Sequence, residues 1–396
     1  MDHLLIQSRR LLANTDLHYF RFLHNEIRWD WRLIGIKGAR GVGKTTLLLQ
    51  HLHQLPDGMK GIYLSLDDLH FTQNTLRETV EQLRATGISC FFLDEVHKYP
   101  HWSREIKNLY DNYPDIFIVF TGSSIIELNL QEVDLSRRAV MYELPGLSYR
   151  EYLMLNGVIT LPVLRLEDIF QQHESIATDL TLQFKPLAHF QSYLQEGVYP
   201  FFLEHKDLYH YRLKQVVRLV LETDLSTAER SRVMQVQKIG QLLQIIADSV
   251  PFKPNISQLA GKLGLDRNTL VRYLHHLQNA RLIQLLYAEG ANLSALQKPE
   301  KIYLNNSNLA YALCAGTPEP GSIREVFFYH QLSQQHSVMY SGVADFTIDN
   351  KWTIEIGGKT KGFEQIKSAN NGYLALDQME TGVGRKIPLW LFGMLY

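Results

Sequence analysis

A glycine-rich octapeptide near the N-terminus constrains the fold of this chain more than any other feature. Residues 38–45 read G-A-R-G-V-G-K-T, which matches the pattern G-x-x-x-x-G-K-[ST]. A short apolar run at residues 33–36 precedes the octapeptide, and an apolar helix is expected from residue 46 onward. A strand, a glycine-rich turn and a helix in this order are typical of a loop that wraps phosphate groups. The pattern therefore predicts a nucleotide-binding α/β domain.

Each fixed position of this loop has a chemical role. The glycines let backbone N–H groups approach phosphate oxygens, the lysine places a positive charge beside the β- and γ-phosphates, and the threonine hydroxyl is a ligand of Mg²⁺. The predicted nucleotide-binding residues are Gly38, Arg40, Gly41, Val42, Gly43, Lys44, Thr45 and Thr46. We expect ATP and Mg²⁺ as cofactors, with Lys44 also contributing to catalysis and Thr45 binding the metal.

Two acidic residues follow the apolar run C-F-F-L at residues 90–93. Their carboxylates are expected at the carboxyl edge of a parallel sheet, where ligands bind in such folds. Asp94 is then placed to hold Mg²⁺, and Glu95 to orient or deprotonate the attacking water. A solvated strand end is the alternative for such a pair, but the phosphate loop upstream favours the catalytic interpretation.

The spacing of apolar runs predicts the architecture of this part of the chain. Five short runs alternate with stretches of helical length, which is typical of βα units around a doubly wound parallel sheet. These runs lie at residues 33–36, 62–66, 88–93, 116–120 and 139–144. We therefore predict an α/β fold of the P-loop NTPase type.

Small polar residues and two arginines follow the later strands and are candidate γ-phosphate sensors. Thr121 and Ser123 lie at the end of the fourth run, where the alternative is a helix N-cap. Arg137 and Arg138 precede the fifth run, where an arginine could stabilise charge in the transition state; a solvated surface pair is the alternative. Ser123 is therefore also predicted to bind the nucleotide.

Several motifs together resemble a family of bacterial and archaeal AAA-like P-loop ATPases, related to the STAND ATPases, that carry a C-terminal domain of unknown function. The matching segments are the phosphate loop with its second threonine, the strand with two acids, T-G-S-S at 121–124, L-S-Y-R-E-Y at 147–152, E-G-V-Y-P at 196–200 and P-E-K-I-Y-L at 299–304. The resemblance extends over nearly the whole chain. It implies an ATPase, and it favours Arg138 over Arg137 as the sensor and third catalytic residue, after Glu95 and Lys44.

The remainder of the chain is predicted to contain further domains. We expect an N-terminal helical segment (1–30), the AAA-like ATPase domain (31–150), a helical lid or linker (151–230), a winged helix-turn-helix (231–290) and a small C-terminal domain (291–396). Residues 256–265 are expected to form a helix closed by glycine, and residues 266–277 a second helix, which is the spacing of a helix-turn-helix. A winged helix of this kind could bind DNA, and the alternatives are a protein-contact or an autoinhibitory module.

The C-terminal domain resembles the restriction-endonuclease-like fold, in which acids on a helix and on two strands bind Mg²⁺ and a nearby lysine reaches the phosphodiester that is cleaved. The candidates are Glu325, Asp345, Glu355 and Lys359. Lys359 lies four positions after Glu355, about 13 Å in a regular strand, which is too far for a shared metal unless the two intervening glycines turn the chain. We therefore expect a degenerate domain rather than an active nuclease.

Composition restricts the partners and the location. With 40 basic and 41 acidic residues, the net charge of −1 provides no general attraction to nucleic acid or to an anionic membrane. The two cysteines read as free thiols, and no apolar run is long enough for a membrane span, so a cytoplasmic protein of undetermined oligomeric state is expected.

The leading hypothesis is an ATP-hydrolysing molecular switch that controls the C-terminal modules. An ATP-dependent nuclease or DNA-processing enzyme is the first alternative. An ATP-binding scaffold with little turnover is the second.

Overall fold

The computed structural model of the chain consists of two compact units, residues 1–146 and residues 147–396, here called the N-terminal and the C-terminal unit. The structure describes residues 1–122, 135, 137–225, 233–249, 251–288, 298–367, 369 and 371–396. Within these ranges, no helix has the length and apolar character needed to cross a membrane.

The N-terminal unit is built on a five-stranded parallel sheet in the order β2-β3-β4-β1-β5. Its strands are β1 (Leu33–Lys37), β2 (Gly61–Ser65), β3 (Cys90–Asp94), β4 (Phe117–Gly122) and β5 (Val140–Glu143). All five predicted runs are strands, and the predicted P-loop NTPase α/β fold is confirmed. The strand β4 lies between β1 and β3, so its carboxyl end emerges between the phosphate loop and Asp94.

Helices flank this sheet and cover its apolar strands. They are α1 (Asp2–Ala13), α2 (Phe22–Glu26), α3 (Lys44–His53), α4 (Leu76–Ala85) and α5 (Trp102–Asn112). Side chains such as Leu33, Leu64 and Phe91 are fully enclosed, and each contributes roughly 1.5–3 kcal/mol through burial. The sheet edge that carries the phosphate loop is thereby held by a rigid core.

The predicted N-terminal helical segment is only partly helical. Helix α1 ends at Ala13, and the chain to Arg21 is irregular before α2 begins. The Gln50 side chain, on α3, donates hydrogen bonds to the carbonyl oxygens of Asp16 (2.8 Å) and Tyr19 (2.7 Å). Contacts with the phosphate-loop helix therefore take the place of a helical ladder in this stretch.

Helices dominate the first part of the C-terminal unit. They are α6 (Tyr149–Leu155), α7 (Leu166–Thr181), α8 (Pro186–Glu196), α9 (Tyr209–Leu219) and α10 (Val233–Ala247). The L-S-Y-R-E-Y motif forms the start of α6, where Ser148 and Glu151 make a reciprocal capping box. Arg150 donates to the carbonyl oxygens of Tyr396 and Leu161, both at 2.9 Å, so this motif serves packing within the C-terminal unit.

The predicted pair of helices is present at the expected positions. Helix α11 (Ile256–Leu263) ends at Gly264, which has a left-handed φ of 59°, and α12 (Arg267–Asn279) is capped by Asp266. The strand β6 (Ile283–Leu286) follows and pairs antiparallel with β7 (Lys301–Leu304). Two helices and an antiparallel pair therefore occur in the order expected of a winged helix-turn-helix.

The last part of the C-terminal unit is a mixed sheet with helices beside it. Helices α13 (Ser307–Leu313) and α14 (Pro320–Leu332) precede it. The strands are β8 (Val338–Tyr340), β9 (Phe346–Ile348), β10 (Trp352–Gly357), β11 (Gly372–Leu376) and β12 (Lys386–Pro388). The first three are antiparallel neighbours and the last three are parallel.

Candidate functional site

The phosphate loop lies at the carboxyl end of β1, as predicted. Helix α3 begins at Lys44, directly behind Gly43, whose left-handed φ of 96° is open to glycine but strained for other residues. The first-turn N–H groups of α3 therefore face the loop, where the helix dipole favours an anion. Val42 is buried and anchors the loop to the core.

The Lys44 side chain folds back over the phosphate loop. Its ammonium group donates hydrogen bonds to the carbonyl oxygens of Gly38 at 2.8 Å and Ala39 at 3.0 Å. Only 6% of the lysine is exposed. A buried cation whose partners are backbone carbonyls is ready to exchange them for phosphate oxygens, which bind an ammonium more strongly.

Asp94, at the end of β3, is the centre of a hydrogen-bond network. Its Oδ2 atom accepts hydrogen bonds from the Thr45 hydroxyl at 2.6 Å and the Tyr63 hydroxyl at 2.8 Å. Its Oδ1 atom accepts from the Thr121 hydroxyl and from the Glu95 backbone N–H at 3.0 Å. The structure therefore brings the predicted metal residues Thr45 and Asp94 together, although they lie 49 positions apart.

These oxygen atoms fit the requirements of Mg²⁺. A hydroxyl and a carboxylate are hard ligands, and Mg²⁺ in nucleotide sites keeps several waters besides one or two protein oxygens and the phosphates. Asp94 is only 2% exposed, so its charge is little screened by solvent. Thr45 and Asp94 are the residues that would hold the ion.

Glu95 leaves the strand in an unusual backbone conformation. Its φ of 53° is left-handed, which costs a non-glycine residue about 1–3 kcal/mol. The Glu95 Oε2 atom lies 3.3 Å from the Nε2 atom of His97. Burial, reinforced by the positive charges of Arg40, Lys98 and Lys44, lowers the pKa of His97 to about 3. A neutral imidazole therefore faces the carboxylate that is the candidate base.

Three contributors to this site were not predicted from the sequence. Tyr63 lies inside an apolar strand, where a tyrosine gives no functional signal. His97 follows Glu95 by two residues, a spacing that could have been noticed. The buried Arg21 donates to the carbonyl oxygens of Val42 at 2.6 Å and Pro145 at 2.8 Å, and this contact joins segments more than 100 residues apart.

The predicted sensors have different outcomes. Thr121 is fully buried and donates to Asp94, so it contacts the candidate metal residue. Ser123 lies outside the described residues. Arg137 is exposed beside Arg138, at the amino ends of the parallel strands, whereas the phosphate loop lies at their carboxyl ends.

The structure does not bring Arg138 to the phosphate loop of its own chain, contrary to the expectation. Val140 is in register with Ile34 at the start of the parallel sheet, and Arg138 precedes it. The phosphate loop begins after Lys37, roughly 20 Å further along the strand direction. Arg138 instead makes a two-bond ion pair with Asp111, at 2.7 and 2.9 Å.

In the C-terminal unit, the three predicted acids lie close together, but the predicted lysine does not join them. Lys301 contacts Glu325 and Asp345, and Lys361 contacts Glu355. Lys359 is exposed in the turn that follows Gly358. The chain does turn at the two glycines, as the sequence allowed. The turn brings Lys361 to Glu355, however, and not the predicted Lys359.

Two family patterns match this sequence. Residues 30–153 match the family described as AAA domain, and residues 187–320 match a domain of unknown function, DUF8612. The first match contains the phosphate loop, Asp94 and Glu95. The second extends from α8 to the start of α14 and includes the paired helices and the β6–β7 pair.

Two curated relatives come from the archaeon Methanocaldococcus jannaschii, and both are uncharacterised. MJ1637 is 26% identical over 394 residues, which cover 88% of this chain and 81% of that protein. MJ1544 is 21% identical over 298 residues, which cover 72% of this chain but 62% of that protein, less than two thirds of its length.

Among solved structures, the Walker-type ATPase PABY2304 of Pyrococcus abyssi aligns with a TM-score of 0.42 and 13% identity, covering 74% of this chain and 95% of that chain. AMPPCP-bound DnaA from Aquifex aeolicus aligns with a TM-score of 0.26 and 15% identity, covering 64% of this chain and 84% of that chain. Taken with the parallel sheet and the phosphate loop, the family matches show an AAA-like P-loop domain in residues 30–153, followed by a domain of unknown function in residues 187–320.

Proposed function

We propose that the N-terminal unit binds ATP with Mg²⁺ and hydrolyses it. One observation supports this most directly: Thr45 and Asp94 meet at 2.6 Å, and the next residue, Glu95, leaves the strand toward solvent with 27% of its side chain exposed. A metal-binding pair with an adjacent, accessible carboxylate is the arrangement that hydrolysis requires and that passive nucleotide binding does not.

The proposed roles follow from the contacts. Lys44 exchanges its carbonyl partners for phosphate oxygens, and the N-terminus of α3 binds the same phosphates through backbone N–H groups. Thr45 and Asp94 would hold Mg²⁺, which would supply charge to neutralise the phosphates. Glu95 orients the attacking water and accepts its proton, while the neutral His97 restricts the position of the Glu95 carboxylate.

Calorimetric titration of the parent and of Lys44→Ala with ATP and Mg²⁺ tests the binding step. We expect tight binding by the parent and its loss in the variant, because the substitution removes the ammonium from the phosphate loop. Lys60→Ala, an exposed lysine just before β2, is the matched control. Micromolar affinity retained by Lys44→Ala would contradict the assignment.

We further propose that the nucleotide state controls the C-terminal unit, making the protein a molecular switch. The support is that a winged-helix-like segment and a mixed sheet follow the nucleotide-binding domain in the sequence. Limited proteolysis of the C-terminal unit with ATP and with ADP tests this. Identical cleavage patterns in the two states, in the hydrolysis-deficient Glu95→Gln chain, would contradict the switch.

DNA processing is the second candidate function, and one surface favours it. One face of helix α12 carries basic and amide side chains; its residues are Asn268, Val271, Arg272, His275, His276 and Asn279. Basic and amide side chains on the second helix of a helix-turn-helix are those that contact phosphates and base edges. Binding of duplex DNA that weakens with salt in the parent, and weakens in Arg272→Ala, would support this candidate; a protein partner is the alternative occupant.

A further inference from the structure

The motif at residues 299–304 supplies two side chains to a largely buried carboxylate cluster in the C-terminal unit. Lys301 donates hydrogen bonds from its ammonium group to Glu325 Oε2 and to Asp345 Oδ1, both at 3.0 Å. The Tyr303 hydroxyl donates to the same Glu325 oxygen at 2.6 Å. Both motif side chains thus contact the acids that the nuclease-like resemblance assigns to a metal.

A second lysine completes the cluster. The Lys361 ammonium lies 2.5 Å from Glu355 Oε1. This contact requires the chain to turn back over Gly357, where a Cβ atom would come within 2.5 Å of the Lys361 Cβ atom. We call Lys301, Glu325, Asp345, Glu355 and Lys361 the lysine-bridged cluster.

Burial makes the lysines necessary. The side chains of Lys301 and Glu355 are 9% and 3% exposed. Three carboxylates held so close out of water repel one another, and removing their counter-charges would leave buried charge unpaired. Burial acts against the charged form of Lys301, but the carboxylates of Glu325 and Asp345 outweigh it and raise the pKa of Lys301.

The cluster does not fit the Mg²⁺ that a nuclease-like fold implies. Mg²⁺ requires oxygen ligands at about 2.0–2.1 Å around one point, and the ammonium of Lys301 already lies between the Glu325 and Asp345 carboxylates. Among the side chains that the structure describes, no group of three or more His, Cys, Asp or Glu is arranged to hold a metal ion.

We propose that Lys301, positioned with Tyr303 by the P-E-K-I-Y-L motif, is a resident counter-ion that takes the place of a divalent cation in this cluster. The cluster is then a network of ion pairs that holds parts of the C-terminal unit together, and not a metal centre. This proposal is independent of ATP hydrolysis in the N-terminal unit.

The position of Lys301 indicates which elements of the C-terminal unit these ion pairs connect. Lys301 is the first residue of β7, which pairs with β6 behind the helix-turn-helix, whereas Glu325 lies on α14 and Asp345 precedes β9. A nearby backbone hydrogen bond connects the same elements: the Tyr340 N–H donates to the Tyr287 carbonyl oxygen at 2.7 Å. The ion pairs therefore fix the β6–β7 pair to the helix and sheet of the nuclease-like part.

The counter-ion proposal predicts that removing the lysine creates a cation site. Three chains are compared without nucleotide after treatment with a chelator: the parent, Lys301→Met, and the triple variant Lys301→Met/Glu325→Gln/Asp345→Asn. Bound Mn²⁺ is counted from the loss of the free-ion signal in electron paramagnetic resonance. We expect Lys301→Met to bind one Mn²⁺ more than the parent, and the triple variant to bind no more than the parent.

Thermal unfolding provides a second readout in case Lys301→Met folds poorly. Mn²⁺ should raise the unfolding midpoint of Lys301→Met by about 3 °C or more beyond any shift that it causes in the parent, and should shift the triple variant no more than the parent. Mn²⁺ binding by the parent that disappears in Asp345→Asn would overturn the proposal. So would a Lys301→Met chain that neither binds additional Mn²⁺ nor gains stability from it.

Discussion

The phenolic hydroxyl of Tyr63 donates a 2.8 Å hydrogen bond to Asp94 Oδ2, the same oxygen atom that accepts the Thr45 hydroxyl. If the Thr45 hydroxyl were to bind a metal ion instead, Tyr63 would remain as a donor that holds this oxygen in place. Tyr63 lies on β2, the strand beside β3, and is almost fully buried. It is therefore a positioning residue for the candidate metal site.

Tyr63→Phe should raise the Mg²⁺ concentration needed for half-maximal ATPase activity by roughly tenfold, since a hydrogen bond to a charged group contributes about 1.5–3 kcal/mol. Nucleotide affinity measured in chelator should change little, because the Tyr63 hydroxyl donates to the Asp94 carboxylate, which lies outside the phosphate loop. Tyr113→Phe, whose hydroxyl binds Glu81 away from the site, is the control. An unchanged Mg²⁺ dependence would show that the bond serves only folding.

Glu95→Gln should bind ATP as the parent does but hydrolyse it about 10²- to 10⁴-fold more slowly, because the amide keeps the shape and loses the proton acceptor. Single-turnover measurements with a binding titration separate the two steps. A turnover rate equal to that of the parent would assign Glu95 to the turn after β3 and favour another base.

Arg138→Ala tests whether the Asp111 pair is its main role. If the arginine acts only in this pair, Arg138→Ala and Asp111→Ala should lower stability by similar small amounts, because an exposed ion pair is screened by solvent, and leave turnover unchanged. A role at the γ-phosphate of a neighbouring chain would instead lower turnover in Arg138→Ala alone. Because such a role needs two chains to associate, the activity of the parent per chain should then rise with protein concentration. The loss in Arg138→Ala would appear only in that concentration range.

Stability should fall as the pH is lowered below about 6.5. Burial, with a further contribution from the charge of His24, lowers the pKa of His51 to about 4, and burial also lowers the pKa of His330 to about 4. Between these values and the ordinary pKa of 6.5, the unfolded chain takes up protons that the folded chain does not. Each histidine therefore removes up to about 1.4 kcal/mol of stability per pH unit as the pH falls from 6.5 toward 4.

Urea unfolding at several pH values checks this expectation. His51→Phe keeps the ring that stacks on Trp29, with centroids 3.6 Å apart, and removes the titration, so its stability should depend less on pH. His53→Phe, an exposed histidine on the same helix, is the control. Equal pH dependence of the parent and His51→Phe would contradict the assignment.

The C-terminal unit should not cleave DNA with Mg²⁺ or Mn²⁺, with or without ATP, because Lys301 lies between two of the three acids that would bind the metal. Glu355→Ala should leave the ATPase rate unchanged apart from any loss of folding. Cleavage by the parent that vanishes in both Asp345→Ala and Glu355→Ala would establish the nuclease alternative.

The sequence by itself determined the parallel sheet and the phosphate loop. Both depend on local patterns: five apolar runs of strand length, and glycines with a lysine at fixed spacing. The helix pair near residues 256–277 was also readable, because Asp266 and Gly264 are end signals that act within one turn. Such features need no knowledge of distant segments.

Only the tertiary structure decided which side chains meet. Tyr63 reaches Asp94 because β2 and β3 are neighbours in the sheet. Arg138 does not reach the phosphate loop because it precedes β5, at the amino ends of the parallel strands, whereas the loop follows the carboxyl end of β1. Lys301 and Lys361 reach the acids through a strand pairing and a turn over Gly357. A charge buried beside a distant segment is stabilised by contacts that no local pattern records, and for that reason these partners appeared only in the folded chain.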